Sequence, residues 1–139
     1  MEARNQFPLD MEVIKNLYVS MRRIRETEEL IAREYSKQIF RCPVHLSIGQ
    51  EAIASGVSIN LNLGDKVLST HRSHAHYIAK GGDLFRFFAE ILGRSDGCCL
   101  GRGGSMHIFD DSVGFLGSVP IVGSSLPIAS GVEIGRAHV

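Results

Sequence analysis

Three histidines and an arginine fall within six residues of the segment THRSHAHYIAKGG, residues 70–82: His71, Arg72, His74 and His76. Imidazole groups bind metal ions, transfer protons or donate hydrogen bonds to anions, and a guanidinium adds a fixed positive charge. The spacing matches none of the common zinc-ligand patterns, and no nearby cysteine pair completes a ligand set. Ordinary polar packing is a second interpretation. We favour a third, in which the cluster lines the rim of a phosphate or substrate pocket.

A second candidate is the glycine-rich segment GRGGSMH, residues 101–107. Glycines allow backbone amides to approach an anion closely, as they do in phosphate-binding loops. The segment is neither a Walker loop nor a dinucleotide fingerprint, so a purely structural turn is an equally good interpretation. His45 is a weaker candidate, because a lone histidine is more often a packing residue than a catalyst.

Apolar periodicity predicts the helices that must position these segments. One helix begins at an Asp10 cap and continues to about Tyr35. Its mixed-charge face is either solvated, which we favour, or part of a subunit contact: Arg22, Arg23, Arg25, Glu28, Glu29 and Arg33. Ser47 and Gln50 have capping-box spacing before a second helix. Its predicted buried stripe consists of Ala52, Ile53, Val57 and Ile59.

The remaining elements lie on either side of the histidines. KVLST, residues 66–70, predicts a short strand, and Ser73 and Asp83 are expected to cap two further helices. The second of these helices is expected to bury Leu84, Phe85, Phe87, Phe88, Ile91 and Leu92. Residues 94–124 show no periodicity, so we predict a packed functional loop, followed by a helix from about Pro127.

Composition limits the class of protein. The 139 residues carry 15 basic and 15 acidic side chains, and no basic stripe appears, which argues against nucleic acid as a partner. No apolar run has the length of a membrane span, and no targeting segment is visible, so we expect a cytoplasmic protein. The three cysteines, Cys42, Cys98 and Cys99, are expected to be reduced thiols.

Four motifs occur together in order: HLSIGQEA, HRSHAHYIAKGG, AEILGRSDGCCLGRGGSMHIFD and GFLGSVPIVGSSLPIASG. In combination they resemble the thiamine-diphosphate-dependent alpha subunit of 2-oxo acid and acetoin dehydrogenase complexes, from about Leu9 to Val132. The resemblance implies an α/β thiamine-diphosphate-binding fold, with a parallel sheet flanked by helices. Residues 1–40 would form an N-terminal helical segment, and residues 41–132 the first part of the cofactor-binding domain.

The resemblance also implies an activity and partners. It implies an oxidoreductase that uses thiamine diphosphate and Mg²⁺, pairs with a beta subunit as an α2β2 tetramer, and passes an acyl group to the lipoyl arm of an acyltransferase component. Pyruvate, acetoin and branched-chain oxo acids are not separated by these motifs. The magnesium ligands, in a GDG motif and a later asparagine, would lie downstream of Val132, so we expect the chain to be an N-terminal fragment that is inactive by itself.

Position by position, the resemblance implies a set of site residues but no catalytic residue and no metal ligand. Arg72 matches an arginine that pairs with the diphosphate, and His71 falls where many members have tyrosine. Pro120 and Val122 match positions that contact the cofactor, and His45 matches a histidine at the substrate end. For the remaining two histidines, His74 and His107, the implied role is loop ordering.

Residues 133–139, EIGRAHV, depart from the family's pattern. They match one frame of a widely used sequencing adapter, and we expect them to be an artefact. A non-catalytic, partner-binding module is an alternative function for the chain. Among enzymes, a transketolase-like carboligase is another, but the context of GRGGSMH favours the dehydrogenase.

Overall fold

Five α-helices and a two-stranded parallel sheet make up residues 10–137, the part of the chain that this computed structural model describes. The helices are α1 (Met11–Tyr35), α2 (Glu51–Ser58), α3 (His74–Ala79), α4 (Leu84–Ile91) and α5 (Ser125–Ala137). The strands are β1 (Val67–Ser69) and β2 (Phe115–Ser118), and a 3₁₀ turn at Asp111–Val113 precedes β2. This arrangement is consistent with the predicted α/β class.

The two strands pair in parallel, with Ser69 opposite Ser118 and a register irregularity after Val67. Their carboxyl ends therefore lie at the same edge of the sheet. The strand β1 confirms the prediction from KVLST, whereas β2 was not predicted. A four-residue strand that contains a glycine, Gly117, has too weak a pattern to stand out from a loop.

The core is built where α1, α3 and α4 meet the strands. Its fully buried side chains include Ile24, Ile31, Tyr77, Phe87, Ile91, Ile108 and Phe115. The Tyr77 ring makes an edge contact with Phe115, with the ring centroids 5.6 Å apart. Aromatic contacts of this kind add to the hydrophobic stabilisation of burying the rings.

The predicted caps of α1 and α4 are confirmed. Asp10 accepts a hydrogen bond from the Glu12 amide at 3.0 Å, and Asp83 accepts one from the Arg86 amide at 2.8 Å. Ser73 precedes α3 as predicted, but it makes no side-chain cap hydrogen bond.

The predicted buried face of α2 is wrong. Ile53 and Val57 are 64% and 53% exposed, while Ala54 and Ser55 are buried. The Ser55 hydroxyl lies 2.8 Å from the Ser20 hydroxyl of α1. Small side chains allow the two helices to approach closely, and this contact decides which face of α2 turns inward.

Three further predictions need correction. The capping box does not form, because the Ser47 hydroxyl donates to the carbonyl of Arg72 and Gln50 makes no side-chain cap bond. Glu28 is fully buried rather than part of a solvated face, and Phe85 is 70% exposed. The predicted last helix is confirmed, because it begins at Ser125, two residues before Pro127.

The predicted division into residues 1–40, 41–132 and 133–139 stays a prediction. Helix α5 continues from the second range into the third as far as Ala137, and residues 1–9, 138 and 139 lie outside the described part. Within residues 10–137, none of the helices has the length and hydrophobicity needed to cross a membrane.

Two phenylalanines of α4 test the assignment of its buried face. Phe87 is fully buried and Phe85 is 70% exposed. We expect Phe87→Ala to lower the free energy of unfolding by about 3–5 kcal/mol, because it leaves a cavity in the core. Phe85→Ala should change this free energy by less than about 0.5 kcal/mol. Urea denaturation of both variants measures the difference, and equal losses would contradict the assignment.

An ion pair between α1 and α2 predicts acid sensitivity. Arg25 donates to the Glu51 carboxylate at 2.6 Å, and this bond lowers the pKa of Glu51 from 4.5 to about 2. A lowered pKa means that the stabilisation is present above about pH 4.5 and is lost as the pH falls towards 2. Urea denaturation between these pH values should show a smaller loss for Arg25→Gln than for the unmodified chain. Arg22→Gln, which removes an exposed pair with Glu26, is the control and should behave like the unmodified chain.

Candidate functional site

The glycine-rich segment folds around the carboxylate of Glu90, a buried residue near the end of α4. Four backbone amides donate to this carboxylate at 2.7–2.9 Å: those of Cys99, Gly101, Gly103 and Gly104. Two amides bind each oxygen, so the carboxylate is fully hydrogen-bonded. These four hydrogen bonds fix the path of the loop around the buried carboxylate.

The amides of GRGGSMH do therefore bind an anion, but the anion belongs to the protein. Gly101, Gly103 and Gly104 point their N–H groups inward to Glu90. Of the two interpretations that the sequence left open, a loop that holds a ligand phosphate does not apply to these three amides, because they already bind Glu90. A buried carboxylate without such partners would cost several kcal/mol. The loop presents its other atoms outward.

A second buried glutamate holds the next part of the same loop. Glu28 lies 3.2 Å from Nδ1 of His74, and Nε2 of His74 lies 2.7 Å from the Ser105 hydroxyl. The other Glu28 oxygen accepts the Ser47 amide, and the Ser73 hydroxyl donates to the Ser105 carbonyl. Glu28, His74 and Ser105 are fully buried, so this serine–histidine–glutamate arrangement connects α1, α3 and the loop without facing a substrate.

Cys42 completes the attachment of the loop. Its sulfur accepts the Ser105 amide at 3.2 Å. Burial raises the pKa of the Cys42 thiol, which stays protonated at neutral pH. Cys42 is therefore a packing and hydrogen-bonding residue.

Four of the residues singled out in the sequence come to one edge of the sheet. His71 and Arg72 follow β1, and Pro120 and Val122 follow β2. Because Ser69 pairs with Ser118, both segments leave the sheet at its carboxyl edge, where ligands bind in parallel α/β folds. Val122 is 78% exposed there.

A fifth residue, His45, packs against this group. The rings of His45 and His71 meet edge to face, with centroids 5.1 Å apart. Nδ1 of each ring is buried and has no hydrogen-bond partner. Arg72 is half-buried beside them, and its guanidinium donates to the Leu46 carbonyl. This bond uses one of the five N–H groups of the guanidinium. The structure thus assembles a polar wall of His45, His71 and Arg72.

The other histidines do not join this wall. Both ring nitrogens of His74 bind Glu28 and Ser105, and burial lowers the pKa of His76, which lies on α3. His107 is exposed, with Nδ1 3.3 Å from the Gly103 carbonyl. The segment 70–82 therefore supplies two residues of the polar wall, His71 and Arg72, and one buried residue, His74, that holds the loop at Ser105.

Glu90 and Glu28 are the important residues that sequence reasoning missed. Glu90 occupies a position on the buried face of α4, one turn after Phe87, and a carboxylate on an otherwise apolar face needs an internal partner. Glu28 lies between Ile24 and Ile31 on the buried stripe of α1 and carries the same signal. In each case the glutamate occupies a position at the helical spacing of the buried apolar residues, and this position indicates that the glutamate is itself buried.

Comparison with known proteins gives one family. The family described as dehydrogenase E1 component matches residues 19–138. The alpha subunit of acetoin:2,6-dichlorophenolindophenol oxidoreductase from Cupriavidus necator is 42% identical over 127 residues, which is 91% of this chain and 38% of that protein. Its Bacillus subtilis counterpart is 44% identical over 115 residues, which is 83% of this chain and 34% of that protein.

A plant protein extends the likeness to pyruvate dehydrogenases. The mitochondrial pyruvate dehydrogenase E1 component subunit alpha from Pisum sativum is 34% identical over 123 residues, which is 88% of this chain and 31% of that protein. The chain thus spans between about a third and two-fifths of the length of these three relatives.

The four hydrogen bonds from the loop to Glu90 predict the effect of removing the negative charge of this side chain. We expect Glu90→Gln to lower the free energy of unfolding by about 2–3 kcal/mol, because an amide offers the four N–H donors a weaker acceptor and one nitrogen that cannot accept. Hydrogen exchange should accelerate at the amides of Gly101, Gly103 and Gly104. Glu29→Gln, on the exposed side of α1, is the control. Unchanged exchange in Glu90→Gln would show that the loop holds its path without the carboxylate.

Proposed function

Because this chain belongs to the dehydrogenase E1 component family, we propose that it supplies part of the cofactor wall in the alpha subunit of a thiamine-diphosphate-dependent 2-oxo acid or acetoin dehydrogenase. The observation that carries the proposal is the pair of buried, unpartnered Nδ1 atoms on His45 and His71. They lie beside Arg72, at the sheet edge where the segment Pro120–Val122 also emerges. The subunit would have the thiamine-diphosphate-binding fold.

The two histidines fit a polar ligand. A buried ring nitrogen without a partner costs about 1–3 kcal/mol, and a ligand donor or acceptor at this wall would recover that cost. The edge-to-face contact with His71 holds His45 in a defined orientation. We propose His45 for the substrate end of the site, and His71 for the cofactor, in place of the tyrosine that many family members have.

Arg72 fits a diphosphate. Its guanidinium is half-buried and anchored at the Leu46 carbonyl, so it is held in place before a ligand binds. A preorganised arginine binds phosphate oxygens through charge-assisted hydrogen bonds. Since the GRGGSMH amides serve Glu90, Arg72 is the charged group of this wall that we assign to the diphosphate.

Thiamine diphosphate, when bound, supplies the carbanion chemistry that cleaves a bond next to a carbonyl group. The residues of this chain would bind and orient it: Val122 through its backbone, Pro120 beside it, and His74 and His107 by ordering the loop around Ser105. We further propose that Mg²⁺ is held by residues downstream of Val132, that a beta subunit completes an α2β2 enzyme, and that the acyl group passes to a lipoyl-bearing acyltransferase in the cytoplasm.

A segment exchange tests this function. Residues 10–132 of this chain would replace the matching segment in the Cupriavidus necator acetoin alpha subunit, which would be produced with its partner subunit. We expect magnesium-dependent binding of thiamine diphosphate by calorimetry, and oxidation of acetoin or pyruvate with 2,6-dichlorophenolindophenol as acceptor. In this hybrid, Arg72→Ala should weaken cofactor binding by about 10- to 150-fold, the effect of losing a charged hydrogen bond.

Two controls make the exchange decisive. Arg33→Ala removes an exposed arginine of α1 and should leave the cofactor dissociation constant unchanged. A hybrid that assembles and has the unfolding temperature of its parent, but binds no thiamine diphosphate, would overturn the proposed function. An unchanged dissociation constant in Arg72→Ala would remove Arg72 from the site.

A further inference from the structure

The adjacent cysteines of the Glu90 loop, Cys98 and Cys99, have different environments. Cys98 is 9% exposed, whereas Cys99 is only half-buried. Their sulfur atoms lie within 4.8 Å of each other and of a Glu90 oxygen. Cys99 is thus the more exposed thiol of the pair, and the Cys98 sulfur lies close to it.

Glu90 does not make this cluster a metal site of three ligands. Its two oxygens accept four amides, so no lone pair is left for an ion. The chemistry available at the cluster is therefore that of the two sulfurs.

The Cys99 sulfur lies among backbone groups of its own loop. The Phe109 amide donates to it at 3.0 Å, and its S–H donates to the carbonyls of His107 at 3.3 Å and Phe109 at 3.4 Å. A hydrogen bond from the Cys98 thiol, together with the Phe109 amide, lowers the pKa of Cys99. The same bond and burial raise the pKa of Cys98, which keeps its proton. A half-buried cysteine of lowered pKa next to a protonated second thiol is the arrangement found in oxidation-sensitive cysteine pairs.

We propose that Cys99 is a site of reversible oxidation by peroxides, with Cys98 as the thiol that resolves it. The Cys99 thiolate attacks one peroxide oxygen, the O–O bond breaks and hydroxide leaves, which produces a sulfenic acid. The Cys98 sulfur then attacks the Cys99 sulfur, the S–O bond breaks, and the departing oxygen leaves as water with the Cys98 proton. The two thiols lose two electrons and the peroxide gains them.

Closing this disulfide changes the loop. Adjacent Cα atoms are about 3.8 Å apart across a trans peptide, which is below the range of ordinary disulfides, so a Cys98–Cys99 bridge is strained. The peptide that joins the two cysteines carries the Cys99 amide, which donates to Glu90 at 2.7 Å, and we expect the strain to weaken this bond. The Cys99 sulfur also gives up the charge that attracts the Phe109 amide. Oxidation therefore loosens both ends of the segment 99–109, and the strained bond is easily reduced again.

The experiment uses the purified, reduced chain and hydrogen peroxide. Mass spectrometry should show the loss of two hydrogen atoms, mapped to the peptide that contains Cys98 and Cys99 and reversed by dithiothreitol. Cys98→Ser should stop at a sulfenic acid that dimedone traps on Cys99, and Cys99→Ser should not lose the hydrogens. Hydrogen exchange at the Cys99 and Phe109 amides should accelerate on oxidation, a readout that does not depend on catalysis or cofactor binding.

Cys42→Ser is the matched control and should oxidise like the unmodified chain, because it leaves Cys98 and Cys99 unchanged and the pKa of Cys42 is raised by burial. Three results would overturn the proposal: a dimedone adduct that persists in the unmodified chain, faster modification of Cys42 than of Cys99, or no peroxide-dependent mass change. Circular dichroism of each variant separates loss of reactivity from loss of the fold. The inference does not require the proposed function.

Discussion

The buried carboxylate of Glu90 is the interaction on which the rest of this structure depends. A charge inside a protein is tolerated only when it is fully hydrogen-bonded, and here the partners are four backbone amides of one loop. The close approach explains the glycines around it. A side chain at Gly97 would collide with the Glu90 carboxylate, and Gly101 adopts φ +73°, a left-handed conformation that favours glycine. The glycines of the loop and its backbone geometry therefore have the same cause, the buried carboxylate of Glu90.

A second carboxylate acts in the same way from another direction. Glu28 reaches Ser105 through His74, so α1 and α3 hold the end of the segment that Glu90 holds from α4. Each glutamate lies on the apolar face of its helix, and each would be destabilising without the loop. The loop and the helices thus stabilise each other, and this mutual dependence explains how a long segment with little regular structure keeps a defined path.

Most of the helices and one of the two strands could be predicted from the sequence, but the contacts between them could not. Helix α1, its Asp10 cap and the strand β1 followed from local periodicity and cap chemistry, which depend on neighbouring residues. The inward face of α2 did not follow, because the Ser20–Ser55 contact between helices outweighs the apolar spacing. The strand β2 is stabilised by its pairing with β1, forty-nine residues earlier at the paired serines. The family was predictable by motif resemblance, whereas the role of the GRGGSMH amides was not, because their partner, Glu90, lies on a different element.

The internal use of those amides constrains the electrostatics of the proposed site. A loop that neutralises Glu90 contributes little positive potential to an external anion, since its N–H dipoles point toward the carboxylate. If a diphosphate binds at the carboxyl edge of the sheet as proposed, its charge would be balanced by other groups, such as a side-chain cation and a metal ion. Arg72, which we assign to this role, is anchored at Leu46 and adjacent in sequence to Ser73, which binds the loop. Attachment of the loop and the proposed attraction of the ligand would thus be separate functions of neighbouring residues on the same short segment.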